Sequence, residues 1–135
     1  MSKTTRRTFL KTATIASAGY LVAAGNQRAL SQSPNQKPNV ACIGCGGKGG
    51  SDSGNAAKFG NVIAICDVDR GTMESKGKAE GFKDAEQFVD FREMFAKHGK
   101  NIDICTISTP DHMHTPATLE AMRLGISCYT QKPLT

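Results

Sequence analysis

The chain has 135 residues, enough for one small domain with a hydrophobic core, and 17 Lys and Arg against 12 Asp and Glu give it a formal net charge of +5. Five of the 17 basic residues and none of the acidic ones lie in residues 1–31, so 12 of each sign remain and the rest of the chain is neutral. A neutral domain lacks the basic patch that nucleic acids require, so we expect no nucleic-acid partner.

The N-terminal segment predicts an export signal. Residues 5–11 read Thr-Arg-Arg-Thr-Phe-Leu-Lys, which resembles the twin-arginine motif, and a modest apolar stretch follows at 12–24. This stretch is shorter than the about 20 apolar residues of a transmembrane helix, so we expect no stable membrane span.

Small residues suited to signal cleavage occur at 23–24 and at 29–31, and the sequence leaves both sites open. We expect residues 1–31 to form a twin-arginine signal peptide and 32–37 to form a polar linker. The twin-arginine export machinery is then a partner, and the product is periplasmic. The alternative is that the segment forms an amphipathic helix of the mature domain.

The first predicted strand, 39–43, leads directly into a glycine-rich turn and a helix predicted over 47–59. Gly44, Gly46 and Gly49 supply the pattern Gly-x-Gly-x-x-Gly between strand and helix, which is the setting of a dinucleotide-binding turn. The three glycines permit the tight turn, the approach of a pyrophosphate and the close packing of the helix, respectively. The N-terminus of the helix offers free N–H groups to phosphates.

The second predicted strand, 61–67, ends in an acid. Asp67 lies 18 residues beyond Gly49, near the spacing of about 20 at which an acid binds the adenosine ribose of a dinucleotide. The alternative is that Asp67 only caps the next helix. We favour the ribose role because the glycines, the strand and the acid agree.

Helices and strands continue to alternate along the remaining chain. Helices are predicted over 69–81, 91–98 and 115–124, and strands over 87–90, 101–108 and 126–130, with a loop at 109–114. Leu119 and Met122 are expected on the inner side of the last helix. The alternation indicates an α/β fold with a doubly wound parallel sheet, and ligands bind such sheets at the carboxyl ends of the strands.

Five cysteines allow three interpretations. Cys42 and Cys45 form a Cys-x-x-Cys pair, which elsewhere indicates redox chemistry or half of a zinc site. No second pair of metal ligands follows, so we predict no metal, and the odd number of cysteines does not indicate a disulfide framework. We expect the cysteines to be buried as small apolar side chains and keep a cysteine-based redox protein as the alternative.

Four segments together resemble the N-terminal domain of the glucose–fructose oxidoreductase / inositol dehydrogenase (Gfo/Idh/MocA) family. They read Gly-Cys-Gly-Gly-Lys-Gly at 44–49, Cys-Asp-Val-Asp at 66–69, Ser-Thr-Pro-Asp-His-Met-His at 108–114 and Gln-Lys-Pro-Leu at 131–134. The resemblance covers residues 38–135 and implies a Rossmann-type dinucleotide-binding domain. The implied activity is that of a nicotinamide-dependent oxidoreductase acting on a sugar, cyclitol or related polyol.

The resemblance also implies which residues touch the cofactor. Asp67 would hold the adenosine ribose and repel a 2′-phosphate, which favours NAD, while Arg70 keeps NADP open. Lys132 would lie beside the nicotinamide and relay the substrate proton, as the catalytic residue. Gln131 stands where the family often has Glu, so no carboxylate tunes that lysine. The implied cofactor-binding residues are Gly44, Gly46, Gly47, Gly49, Asp67, Ser108, Thr109, Pro110, His114, Gln131 and Lys132.

The histidines of the 109–114 loop are expected to order the chain rather than to act in catalysis. His114 matches a position of the family's loop, and His112 stands two residues before it. For both we favour a role at the entry of the helix that follows.

In this family a second α/β domain follows and supplies the substrate pocket. We therefore expect the chain to be an N-terminal fragment whose sheet is incomplete at the C-terminus, with a sugar or polyol as partner only when that domain is present. The alternative is a non-catalytic nucleotide-binding or interaction fragment, and a homo-oligomer is left open.

Overall fold

The computed structural model describes residues 36–134, which form a parallel sheet with helices packed on both of its faces. The predicted signal peptide, 1–31, lies outside the described residues. The strands are β1 (Asn39–Ile43), β2 (Asn61–Cys66), β3 (Glu86–Phe88), β4 (Ile104–Ile107) and β5 (Ser127–Thr130). The helices are α1 (Gly47–Phe59), α2 (Arg70–Gly77), α3 (Phe91–His98) and α4 (His114–Arg123), and a short 3-10 helix, Asp111–Met113, precedes α4.

The strands lie in the order β3-β2-β1-β4-β5, and every neighbouring pair is parallel. The central strand β1 pairs with β2 on one side and with β4 on the other. The chain order therefore reverses between β1 and β4, which is the place where open α/β sheets bind their ligands. This arrangement confirms the predicted Rossmann-type fold.

Alternate residues of each strand face opposite sides of the sheet, and each side has its own apolar cluster. Ala41 and Ile43 of β1 pack with α3 and α4, whereas Val40 and Cys42 pack with residues of α1 and α2. Two helices thus cover each face, as a doubly wound topology requires. Both clusters support the same β1 carboxyl end, where the glycine turn begins.

Several element boundaries match the sequence prediction, and others are shorter. The bounds of β1, α1 and α3 are those predicted. Four other elements are shorter because turn and capping residues occupy their ends: α2 ends at Gly77, β3 at Phe88, and β4 and β5 begin at Ile104 and Ser127. The predicted 109–114 loop contains the 3-10 helix, and His114 already belongs to α4.

The inner face of α4 was predicted wrongly. Leu119 and Met122 are 48% and 61% exposed, whereas Ala117 and Ala121 are fully buried against the sheet. Small side chains at the inner positions let the helix approach the strands closely, which leaves its large apolar side chains on the outside. Choosing the inner face by side-chain size fails for a helix that packs through alanine.

No helix within residues 36–134 has the length and apolar character needed to cross a bilayer.

Candidate functional site

The carboxyl ends of β1, β2 and β4 border a crevice with a volume of ≈ 430 Å³. It lies at the point where the strand order reverses. Six of the predicted site residues line it: Gly44, Gly46, Asp67, Ser108, Thr109 and Pro110. The sequence segments expected to converge from β1, β2 and β4 therefore do so.

The glycine turn has no room for side chains at two of its positions. Gly44 has a φ of +86°, and a Cβ there would lie 2.4 Å from the carbonyl oxygen of Ser108. A Cβ on Gly49 would lie 2.2 Å from the carbonyl oxygen of Gly44. Both distances are far below van der Waals contact, so glycine is required for the turn, α1 and the residues after β4 to meet.

The N-terminus of α1 opens beside this turn. Gly46 is its N-cap, no side chain caps it, and its first turn contains no acid. Gly47, the first residue of α1, has a φ of +48° and no heavy atom near its ideal Cβ position. The first N–H groups of α1 thus have no side-chain acceptor from their own cap, which suits an anionic ligand.

Asp67 is held at the edge of the crevice by two backbone N–H groups. Its Oδ2 accepts a hydrogen bond of 2.7 Å from the Cys45 N–H, and its Oδ1 accepts one of 2.9 Å from the Asp69 N–H. A carboxylate has about four acceptor positions, so lone pairs remain for the hydroxyls of a ribose. The glycine turn and β2 are thereby joined through the acid.

Asp69, and not Asp67, caps the next helix. Its Oδ1 accepts from the N–H groups of Gly71 and Thr72 at the start of α2. Hydrogen bonds from the hydroxyl and N–H of Thr72 lower the pKa of Asp69, so it is charged at neutral pH. The alternative interpretation of Asp67 as a helix cap is therefore wrong.

A buried acid links α1 to the residue after β4. Asp52 is 7% exposed; its Oδ2 accepts a hydrogen bond of 2.8 Å from the Ser108 hydroxyl, and its Oδ1 lies 2.8 Å from the Lys48 ammonium. Burial by itself raises the pKa of Asp52, but the bonds from Lys48 and Ser108 outweigh it and hold the pKa below its usual value. Asp52 is therefore a charged, fully engaged side chain.

Thr109 follows Ser108 and lines the crevice. Its Oγ1 is buried and has no hydrogen-bond partner among residues 36–134. A buried hydroxyl without a partner is costly and unusual in folded proteins.

His114 lies beneath the crevice and orders two chain segments. It is fully buried, with Nε2 2.8 Å from the Thr109 carbonyl oxygen and Nδ1 2.5 Å from that of Pro133. Both partners are carbonyl oxygens, which only accept, so a ring nitrogen that bonds one of them does so as an N–H donor. Thr115 adds a hydrogen bond to the Leu134 carbonyl oxygen. The ordering role favoured for His114 agrees with these contacts, and its ring does not line the crevice.

Gln131 and Lys132 lie at the carboxyl end of β5, outside the lining of the crevice. The Gln131 N–H donates to the Ile107 carbonyl oxygen at 2.9 Å, which extends the pairing of β5 with β4 by one bond. Lys132 is exposed and borders a surface groove between β5 and α4. The described residues thus place this lysine at the expected end of the sheet without bringing it into the crevice.

The cysteines are free thiols, and four of the five are buried; Cys128 is half-buried. Burial raises the pKa of Cys45 to about 12, and the nearby Asp67 charge adds to the effect. Burial also raises the pKa of Cys66 to about 12. Thiols that stay protonated at neutral pH are poor nucleophiles, which counts against the cysteine-based redox interpretation. Within residues 36–134, no cluster of three His, Cys, Asp or Glu side chains has the arrangement of a metal site.

Neither the Lys48–Asp52–Ser108 network nor the apolar wall of the crevice is predicted by the sequence. The four-residue spacing of Lys48 and Asp52 is visible in the sequence and typical of a helical ion pair. The hydrogen bond between Asp52 and Ser108, which lies 56 residues further along the chain, has no such signal in the sequence. An apolar surface of the crevice is formed by Val68, Val89 and Phe91. Val89 and Phe91 lie outside the four sequence segments that carry the family resemblance.

Taken together, the residues fit a nicotinamide dinucleotide. The turn excludes side chains where a pyrophosphate would approach, α1 presents its N-terminus, and Asp67 keeps free acceptor positions.

Comparison with known proteins agrees with this geometry. The profile of the family described as "Oxidoreductase family, NAD-binding Rossmann fold" (GFO_IDH_MocA) matches residues 38–135. The chain belongs to the Gfo/Idh/MocA family. This match supports the main interpretation, a cofactor-binding domain of an oxidoreductase family, over that of a non-catalytic fragment.

Individual relatives share the fold over the same region. The myo-inositol dehydrogenase of Lactobacillus casei, solved with NAD(H) and myo-inositol, has a TM-score of 0.65 at 21% identity, covering 74% of this chain and 30% of that one. An oxidoreductase from Sinorhizobium meliloti has a TM-score of 0.64 at 26% identity, covering 75% and 30%. A curated relative, the "Glycosyl hydrolase family 109 protein" of Solibacter usitatus, is 29% identical over 93% of this chain and 32% of its own length.

The chain therefore spans about a third of the curated relatives that it matches, 32% and 34% of their lengths.

Proposed function

We propose that this Gfo/Idh/MocA domain is the cofactor-binding half of a nicotinamide-dependent dehydrogenase for a sugar, cyclitol or related polyol. The observation that carries the proposal is the convergence of the glycine turn, Asp67 and Thr109 on one crevice at the strand-order reversal. Bound nicotinamide supplies the hydride acceptor or donor for such a reaction. The chain's own residues bind and orient the dinucleotide.

We propose NAD rather than NADP as the cofactor. The support is that Asp67 follows β2 at the edge of the crevice, where an acid of this fold binds the adenosine ribose, and that the charged Asp69 stands two residues further along. Two carboxylates near the 2′ position repel a 2′-phosphate, whereas a free 2′-hydroxyl can donate a hydrogen bond to Asp67. Arg70 is exposed beside them and supports the NADP alternative.

We propose Lys132 as the residue that hydrogen-bonds the substrate oxygen and relays its proton. The support is its place at the carboxyl end of β5, directly after the segment that pairs with β4. His114 fixes the carbonyl of the next residue, Pro133, and so restricts where the lysine backbone lies. Gln131 offers an amide for hydrogen bonding and brings no negative charge.

The substrate class follows from the family rather than from the crevice. The Lactobacillus casei relative was solved with NAD(H) and myo-inositol, and we propose a polyhydroxylated substrate of the same kind here. Its pocket would come from a second domain, since the matched relatives are about three times as long as this chain. A homo-oligomer remains part of the proposal.

A second candidate is glycoside hydrolysis, because two curated relatives carry the name glycosyl hydrolase family 109. NAD-dependent glycoside hydrolases exist as exceptions to the usual pair of catalytic carboxylates. The two candidates differ in their products: a dehydrogenase accumulates NADH with a polyol, whereas a hydrolase releases a sugar with no net NADH. Assaying the full-length protein for both products decides between them.

We also propose export by the twin-arginine route to the periplasm. The support is the Arg6-Arg7 motif and the cluster of positive charge before residue 32. Fractionation of cells that carry Arg6→Lys together with Arg7→Lys tests this. The unchanged protein is expected in the periplasm and the variant in the cytosol.

The test of the proposed function is direct cofactor binding by the 135-residue chain. NADH and NADPH are titrated while nicotinamide fluorescence is followed, and Asp67→Asn is compared with Asp84→Asn, an exposed acid in the turn before β3. We expect saturable NADH binding, stronger than NADPH binding, that falls roughly tenfold in Asp67→Asn because charge-assisted bonds to the ribose are lost. NADPH binding should fall less, because the repulsion is removed. No NADH binding by the unchanged chain would refute the proposal.

A further inference from the structure

The crevice extends beyond Asp67 toward the face of the sheet that α3 and α4 cover. Its lining includes Phe91, the first residue of α3, and Ala117 of α4. The opposite face of the sheet packs against α1 and α2. A dinucleotide with its ribose at Asp67 and its pyrophosphate at the N-terminus of α1 therefore directs its base away from α1, into this part of the crevice.

One wall of this part of the crevice is aliphatic and open to solvent. Val68, directly after Asp67, is 84% exposed, and Val89, directly after β3, is 38% exposed. Both residues line the crevice. Side chains with this exposure add little to the core, whereas a flat apolar ligand in the crevice would remove them from water.

The facing wall carries an imidazole that has no partner. His112 lies in the short 3-10 helix after β4, is exposed and lines the crevice. Because β1 lies between β2 and β4 in the sheet, His112 and the two valines border the crevice from opposite sides. Within residues 36–134, no hydrogen bond, ion pair or ring contact engages the His112 side chain. The ring of His114, in contrast, is buried and bonds two carbonyl oxygens.

We propose that His112 stacks on the adenine base of the bound dinucleotide, which then lies between the imidazole and the side chains of Val68 and Val89. Every nucleobase has two flat faces, and aromatic side chains bind these faces by stacking. The valine side chains offer no hydrogen-bonding group, so the wall opposite His112 also contacts the base through a face. The inference rests on the proposed function and adds the residue that covers the base.

The test compares two ligands that share the adenosine and differ in the nicotinamide. Affinities of the 135-residue chain for NADH and for ADP are measured by titration calorimetry with His112→Ala and His112→Phe. The matched control is Phe59→Ala, which removes an aromatic ring that is 77% exposed at the end of α1 and outside the crevice.

In His112→Ala we expect both affinities to fall by the same factor, about five- to tenfold, because the stacking contact is lost. His112→Phe should keep both affinities within about twofold of the unchanged chain, since a phenyl ring also stacks on a base. Phe59→Ala should change neither affinity. Because His112 is exposed and its side chain has no partner among the described residues, both of its variants are expected to fold.

Four outcomes overturn the inference and leave the proposed function standing. Unchanged affinities in His112→Ala would show that the imidazole does not contact the ligand, and a loss for NADH alone would place it at the nicotinamide half. An equal loss in His112→Phe and His112→Ala would show that the imidazole acts through a hydrogen bond or its charge. An unchanged chain that binds NADH but not ADP would show that the adenosine half contributes too little. Failure of the unchanged chain to bind NADH overturns both proposals.

Discussion

The two sides of the crevice are built by different means. On the turn side, residues 44–49 and Asp67, order comes from the backbone: glycines that admit no Cβ and N–H groups that hold the acid. On the loop side, residues 108–113, order comes from buried polar side chains that hold this segment from behind, namely Asp52 and His114. The turn side is therefore specified by local sequence and the loop side by contacts between distant segments.

The largest expected effect comes from the turn side. Gly49→Ala places a Cβ 2.2 Å from a backbone oxygen that cannot move without displacing the turn. We expect the free energy of unfolding to fall by about 3 kcal/mol, measured by denaturant or thermal unfolding. Gly54→Ala is the matched control in the same helix, since its Cβ would meet nothing closer than the Lys76 ammonium at 3.9 Å. That variant should gain about 0.5–1 kcal/mol. Equal effects of the two substitutions would contradict the packing argument.

The next largest effect comes from the loop side. His114→Ala removes a fully buried ring and leaves the carbonyls of Thr109 and Pro133 without their partner. We expect a loss of about 2–3 kcal/mol in unfolding free energy, from the cavity and the unpaired groups. His112→Ala, at an exposed position two residues earlier, should stay within about 0.5 kcal/mol of the unchanged chain. If the two histidine variants were equally stable, His114 would not be the residue that orders this side.

The smallest effect concerns the link between the two sides. The pKa of Asp52 is below its ordinary value of 3.8, so the folded state binds its proton less tightly than the unfolded state does. The resulting stability is fully present above about pH 4 and is lost as the pH falls through the lower, folded-state pKa. Asp52→Asn should therefore cost at most about 1 kcal/mol at pH 6, and the difference from the unchanged chain should shrink below pH 4. Unfolding curves from pH 3 to 6 check this, and a gap that widens in acid would show the sign to be wrong.

The turn side could be predicted from sequence because its signals are local. Gly44, Gly46 and Gly49 are close together in the chain, and Asp67 follows at a known spacing, so strand, turn and acid were placed correctly. The role of Asp69 as the helix cap was missed because both acids precede α2 and only geometry shows which of them its N–H groups reach.

The loop side could be predicted only in outline. The sequence places residues 108–114 after a strand, but nothing in it reveals that Ser108 meets Asp52. The inner face of α4 was misassigned because alanines carry little apolar signal beside Leu119 and Met122, although close packing on the sheet favours them. Contacts between segments far apart in the chain leave no periodic trace in either segment.

The contrast between local and long-range contacts also affects how much chain entropy is lost when each side of the crevice forms. Bringing Cys45 to Asp67 closes a loop of 22 residues, whereas bringing Asp52 to Ser108 closes one of 56. For a flexible chain the longer closure costs about 0.8 kcal/mol more, because the lost entropy grows with the logarithm of loop length. The contact that joins the β1 and β2 ends therefore has the smaller entropic cost of loop closure, and the contact that joins α1 to the end of β4 has the larger one. A chain that has joined β1 to β2 already possesses its glycine turn and its acid, and the arrival of β4 then converts a half-formed groove into a crevice with two walls.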